Sequence, residues 1–229
     1  MTATSQQYTP ALGYAWLTPW YDFAIRCLTR EQLWRARLVE EIRPVAGDRI
    51  LDVGCGTGQL AFALLSREPR TSFVGIDPDE RVLATAEARV GALKADARLV
   101  CGVIDDSFLD THEHFTKAVS SLVLHQVSLT EKRRILSLMR RALQPSGELF
   151  IADYAEQPTW MMRILFRNTV QRLDGFSNTE PNARGVLAEL MQDVGFIDVT
   201  LRQRIHTATG AISIYRAKVD SRSERVPRQ

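Results

Sequence analysis

Cysteine is scarce in this chain and poorly placed for covalent work. Cys27, Cys55 and Cys101 are the only three in 229 residues. An odd number at such wide spacing fits neither a disulfide framework nor a zinc site, so no metal is expected. Long apolar runs are missing too: no uninterrupted stretch approaches the roughly 20 residues a helix needs to cross a bilayer. Residues 1–9 are polar, with no apolar segment behind a basic start, so no secretory leader is expected and the cytoplasm is the expected compartment. Nor does charge of one sign dominate. The 29 Lys and Arg against 27 Asp and Glu leave a net +2, too little to draw nucleic acid by itself. There are no internal repeats. What is present, 45% hydrophobic and 24% charged residues, is ordinary globular composition. It suffices for one well-buried core, so residues 1–229 are expected to form a single domain.

The strongest local signal is Arg49-Ile50-Leu51-Asp52-Val53-Gly54-Cys55-Gly56-Thr57-Gly58. An apolar-rich run ending at Val53 reads as a buried strand, three alternate glycines follow, and a helical pattern opens at Gln59. The glycines let the backbone turn sharply and let a ligand approach the main chain. The following helix aims its N–H groups and positive dipole end into the same space. Together they form a ligand cradle.

Around this loop the pattern alternates. Strands are expected at 49–53, 72–76, 99–103, 118–124 and 148–152, with helices at 58–66, 79–93 and 130–143 between them. Asp79 is the expected cap of the second helix, and Gln144-Pro145-Ser146-Gly147 reads as a turn. Such alternation predicts an α/β, doubly wound, mostly parallel sheet. After a helix at 184–194, strands at 197–205 and 211–217 follow one another with no helix between them. They must pair as a hairpin, which gives the sheet an antiparallel C-terminal edge. Residues 1–44 read as a helical arm or lid with aromatic anchors, 45–217 as the core with a helical insertion at 158–181, and 218–229 as a disordered tail.

Asp77 closes the second strand about twenty residues after the loop, where a carboxylate accepts ribose hydroxyls. An adenosine-type ligand follows. Gly56-Thr57-Gly58-Gln59-Leu60-Ala61 satisfies the relaxed dinucleotide fingerprint, which leaves an oxidoreductase open as an alternative. Asp52 speaks against it. A pyrophosphate is repelled by a carboxylate two residues before the first glycine, whereas the ammonium of a methionine moiety is attracted. No basic residue lies in the loop to offset that repulsion. These features favour S-adenosylmethionine as cofactor.

Ile50 through Gly58 resembles the signature motif of class I S-adenosylmethionine-dependent methyltransferases. Val74-Gly75-Ile76-Asp77-Pro78 is similar to their second motif, and Leu143 through Leu149 to the turn before their fifth strand. Trp20-Tyr21-Asp22 and Leu33-Trp34-Arg35 resemble the N-terminal helices of the ubiquinone/menaquinone-biosynthesis C-methyltransferase group. Leu173-Asp174-Gly175-Phe176 resembles small-molecule members near it. The resemblance spans residues 8–218 and implies a Rossmann-like sheet of seven strands with the last antiparallel. It implies that Gly54, Cys55 and Gly56 lie against the methionine part, with Asp77 on the ribose and Pro78 along the adenine; Asp52 and Gly58 complete the expected cofactor-binding set. The acid that meets the adenine amino group is displaced in this chain, which reads Gly102-Val103-Ile104-Asp105, so Ile104 and Asp105 take that position. Ser121 would face the sulfonium.

Displacement at a methyl carbon depends chiefly on positioning, with a general base as the smaller contribution. His125 and Asp153 lie just past the fourth and fifth strands, at the ends where open sheets bind ligands, and are the candidate catalytic residues. The Asn/Asp-Pro-Pro-aromatic tetrad that resembling enzymes use on nucleic-acid amino groups is absent, so the expected partner is a small molecule and not nucleic acid. Trp16, Trp20, Tyr21, His125, Tyr154 and Trp160 are expected to wall the pocket of an apolar or aromatic acceptor, with quinone-like and phenolic compounds favoured. Stable membrane insertion is not expected, although peripheral contact is open, and the chain is expected to be a monomer or homodimer. A third reading is a non-catalytic S-adenosylmethionine-binding scaffold.

Overall fold

The computed structural model describes residues 29–112 and 114–221. The expectations for Trp16, Trp20, Tyr21, the first part of the arm and most of the tail therefore lie outside the described residues.

Alternation along the first strand sets the layers. In β1 (Arg49–Val53), Leu51 and Val53 point into one apolar layer and Ile50 into the other, so Asp52 falls on the Ile50 side. β2 (Ser72–Asp77), β3 (Ala97–Cys101), β4 (Phe115–Ser121) and β5 (Leu143–Tyr154) continue the parallel sheet, and β6 (Ile197–Thr207) and β7 (Gly210–Lys218) complete it. The strand order is β3-β2-β1-β4-β5-β7-β6. β7 pairs antiparallel with both β5 and β6, so the hairpin is present, with β7 inserted and β6 forming the outer edge.

On the Ile50 side lie α1 (Glu31–Ile42), α2 (Gln59–Arg67) and α3 (Glu80–Gly91), joined by the insertion helices α6 (Trp160–Asn168), α7 (Val170–Asp174) and α8 (Phe176–Ala183). The Leu51 side is covered by α4 (Asp106–Thr111), α5 (Leu129–Ala142) and α9 (Val186–Asp193). The strand order reverses between β1 and β4. That places a crevice at the carboxyl ends of these strands, the position where open α/β sheets bind ligands.

Several boundaries differ from the sequence pattern for identifiable reasons. β3 stops at Cys101 because Gly102 turns away at φ 152° and donates to the Asp77 carbonyl at 3.0 Å. β4 stops at Ser121 because Leu122 takes a left-handed φ of 57°, and the apolar residues after it enter a 3-10 turn at Leu124–Gln126. The Gln144–Gly147 turn is an excursion inside a longer β5: pairing jumps from Phe115–Leu143 to Lys117–Glu148. The insertion is three helices broken at Thr169 and Gly175. No helix among the described residues is long and apolar enough to cross a membrane.

Candidate cofactor and substrate site

The loop after β1 crosses the top of the sheet, and its three glycines do different things. The Gly54 N–H donates to the Ile76 carbonyl at 2.8 Å, which pins the loop to β2. A Cβ on Gly54 would lie 2.2 Å from the Val123 side chain, and one on Gly58 would lie 2.8 Å from Ala86 of α3. A Cβ on Gly56 would meet nothing within 4 Å. The loop is thus packed tightly at both ends and open in the middle. Arg89 of α3 donates to the Thr57 carbonyl, a brace the loop sequence does not reveal.

Cys55 is buried with its side chain against Gly75, where burial and the neighbouring Asp52 and Asp77 push its thiol well above the usual range. It fills space and is not poised as a nucleophile. Asp77 accepts from the Gly56 N–H at 2.9 Å through one oxygen and from the Asp79 N–H at 3.0 Å through the other. It therefore shapes the loop, and each oxygen keeps a lone pair for a ligand hydroxyl. Pro78 is exposed beside it.

Asp52 is the anomaly. Its side chain is fully buried, and neither carboxylate oxygen has a hydrogen-bond partner. Burial pushes its pKa up to about 7; the Arg35 charge draws it down and the Asp77 charge adds to the rise. An unpartnered buried polar group costs on the order of 1–3 kcal/mol, so a position like this calls for a ligand. A cationic ligand group would supply what Asp52 lacks. S-adenosylmethionine would fit, since it carries an ammonium to offer Asp52 and ribose hydroxyls to offer Asp77.

Two expected adenine contacts have other work. Asp105 is the N-cap of α4, accepting from the Phe108 N–H at 2.8 Å and from the Ser107 hydroxyl at 2.7 Å. Ile104 is buried in the core, and its carbonyl accepts from Arg134. Val103 at this edge is exposed, as are Cys101 and Asp106. Ser121 ends β4 half-buried at the crevice.

His125, Asp153 and Tyr154 do come together. The His125 Nδ1–H donates to Asp153 Oδ1 at 2.6 Å, and Nε2 faces Asp174 at 3.5 Å. Burial alone would lower the imidazole pKa, but the two carboxylates outweigh it and raise it to about 9. A ring already protonated, with both nitrogens taken, is a clamp and not a free base. Asp153 also accepts from the Leu124 N–H at 2.7 Å. The Tyr154 phenol, raised by burial, is hydrogen-bonded to Thr209 at 2.6 Å. Lys132, lowered by burial to about 8, donates to the Val127 and Asn178 carbonyls. Asp174 and Lys132 were not singled out in the sequence as chemistry, although Asp174 sits in the noted Leu173–Phe176 segment. Trp160 stands 77% exposed at the start of α6. Among the described residues no group of three or more His, Cys, Asp or Glu is placed to hold a metal ion.

Residues 50–147, from β1 into the β5 excursion, match the methyltransferase domain family. With the seven-stranded order and the glycine loop, this match gives the class: residues 50–147 carry a class I methyltransferase domain of the Rossmann-like type, the kind that uses S-adenosylmethionine as cofactor. Within that class its sequence is similar to the ubiquinone/menaquinone biosynthesis C-methyltransferases. The UbiE protein of Paracoccus denitrificans is 28% identical over 136 residues, covering 59% of this chain and 54% of that protein. The UbiE protein of Syntrophotalea carbinolica is 26% identical over 228 residues, covering 87% and 89%. The chain thus spans about half the length of the first relative and most of the second. In structure it resembles an O-methyltransferase family protein from Burkholderia thailandensis, with a TM-score of 0.66 at 16% identity over 84% of this chain and 57% of that one. At this identity the likeness speaks to the fold alone.

Proposed function

We propose that the protein methylates an apolar, quinone-like or phenolic small molecule, using S-adenosylmethionine as donor. The observation that carries the donor is Asp52, a fully buried carboxylate without a partner two residues before a glycine loop that is open at Gly56. The names of the UbiE relatives, ubiquinone/menaquinone biosynthesis C-methyltransferases, support the acceptor class.

The bound cofactor would supply an electrophilic methyl on a sulfonium, displaced in line by the acceptor's electron pair. The chain's own part is to hold and to orient. Asp52, Gly54, Gly56 and Gly58 would fix the amino-acid end, Asp77 the ribose, and Ser121 would border the reacting side. Fixing two reactants in register can supply roughly 7–11 kcal/mol of the barrier. His125, Asp153 and Tyr154 are each engaged with protein partners, so in this reading they shape the acceptor side and none is a standing general base. A dinucleotide would set phosphates against Asp52, which disfavours the oxidoreductase alternative.

The test is turnover. Purified protein with methyl-labelled donor and a panel of hydroquinones, naphthols and catechols should transfer label to at least one of them and release S-adenosylhomocysteine. Tight cofactor binding with no transfer to any member would favour the non-catalytic scaffold instead.

A further inference from the structure

Eleven large apolar side chains stand exposed among the described residues, and five of them fall between residues 160 and 176. Singly exposed apolar residues are ordinary on a protein surface, but a cluster in one short stretch is not. α6 concentrates it. Thr159 caps this helix, accepting from the Met162 N–H at 3.2 Å, and Met162 and Phe166 turn inward to the core. The helical turn then sets Trp160, Met161 and Ile164 on the outward face. Leu173 of α7 and Phe176 of α8 are exposed on the helices packed next to it. Charge here is one-sided. From Trp160 to Leu173 there are three arginines, Arg163, Arg167 and Arg172, and no Asp or Glu, in a chain whose net charge is only +2. All three are exposed. Arg163 and Arg167, four residues apart, edge the apolar stripe on one side. Glu180 pairs with Arg163 at 2.7 Å, so the cationic excess rests with Arg167 and Arg172.

We propose that this face docks the protein on an anionic lipid bilayer, with α6 lying flat in the headgroup region. Both parts of the face fit that partner: apolar side chains enter the acyl boundary, and arginines beside them meet lipid phosphates. A second copy seated face to face would set arginines against arginines with no acid on the stripe to answer them. Residues 1–28, with Asp22 against Arg26, bring no net negative charge either. The contact is peripheral, since no helix among the described residues can span a membrane. α6 follows β5, whose carboxyl end borders the crevice, so docking would bring the crevice end of the sheet toward the bilayer. An apolar acceptor would dissolve there, although the docking itself rests on the face and not on the acceptor reading.

Co-sedimentation of the full chain with vesicles tests it. Wild type should pellet with phosphatidylcholine vesicles that contain phosphatidylglycerol, pellet far less with phosphatidylcholine alone, and be released as salt rises. Arg167→Gln combined with Arg172→Gln should weaken binding to the anionic vesicles at least tenfold, at about fivefold for each cation removed. Ile164→Glu should weaken it at least as much, and tryptophan emission should shift to the blue on binding less in Trp160→Phe than in wild type. These side chains are exposed, so the variants should fold, and unchanged S-adenosylhomocysteine affinity would verify that. Equal binding to both vesicle types, no binding by wild type, or no loss in the variants would overturn the proposal. So would a dimer in solution that Ile164→Glu dissolves, which would assign the face to a second copy. Methyl transfer to water-soluble hydroquinones without vesicle binding would sink the docking and leave the acceptor reading standing.

Discussion

Asp52 destabilises the protein that contains it. A buried carboxylate without partners favours the folded state only when protonated, and its pKa of about 7 in the folded chain stands well above the ordinary value of 3.8. The sign follows from linkage: between these two values the folded state binds the extra proton, so this group's contribution to stability falls as pH rises from about 4 through 7. Asp52→Asn removes that slope. It should raise the melting temperature of the cofactor-free protein above pH 7 while weakening S-adenosylhomocysteine at least tenfold, an inverse pairing that scanning calorimetry and titration would measure together. Lower stability with unchanged affinity would show that Asp52 is structural. In wild type, affinity should drop as pH falls below about 7, because the cationic amine needs the ionised form. Gly56→Arg acts in the same cradle by bulk. Its left-handed φ of 52° costs a side chain about 1–2 kcal/mol, but the space around it is open, so the variant should fold and fail to bind. The glycines and Asp52 were legible in the sequence because a turn and a charge are local. The Arg89 brace on the Thr57 carbonyl was not, since it depends on how α3 meets the loop.

Between elements, the decisive join is the polar latch under the insertion. His125 on the β4 side is tied to Asp153 of β5 and to Asp174 at the end of α7. Lys132 of α5 donates to the Asn178 carbonyl in α8, and the Asn178 amide donates to the Gln126 carbonyl at 2.9 Å. These contacts hold α7 and α8 against the crevice end of the sheet. Because the folded imidazole titrates near 9 and the unfolded one near 6.5, the stability it adds is complete below about 6.5 and is lost as pH rises through 9. His125→Ala should cost about 3–5 kcal/mol in denaturant melts, the range for stripping one partner from a buried ion pair. It should also speed proteolysis between residues 170 and 185. An NMR titration midpoint near or below 6.5 would contradict the clamp. The strand and helix alternation was readable from apolar periodicity, and the Asp79 cap forms as expected. The six-residue α4 was not, being too short for a periodic signal, although Asp105 followed by Asp106 carries the ordinary mark of a capped first turn. The insertion read as one helix because its apolar spacing persists across the breaks at Thr169 and Gly175.

For the whole molecule, sheet order and site are the same fact: the reversal between β1 and β4 opens the crevice, and the glycine loop, Asp77 and Ser121 all stand at its rim. The fold was legible down to the hairpin, because two consecutive strands can pair only antiparallel. The insertion of β7 between β5 and β6 was not, since sequence order alone does not choose the edge. A ligand that binds only the folded chain stabilises it by about 2.7 kcal/mol at a hundredfold excess over Kd. Saturating S-adenosylhomocysteine should therefore raise the melting temperature by several degrees. The most direct measurement is isothermal titration of the full chain, near pH 8 where Asp52 is ionised, with S-adenosylhomocysteine and, separately, with NADH. One-to-one binding of S-adenosylhomocysteine with no heat from NADH is the predicted result. Binding of NADH, or silence toward both, would contradict the assignment of the loop to a sulfonium cofactor.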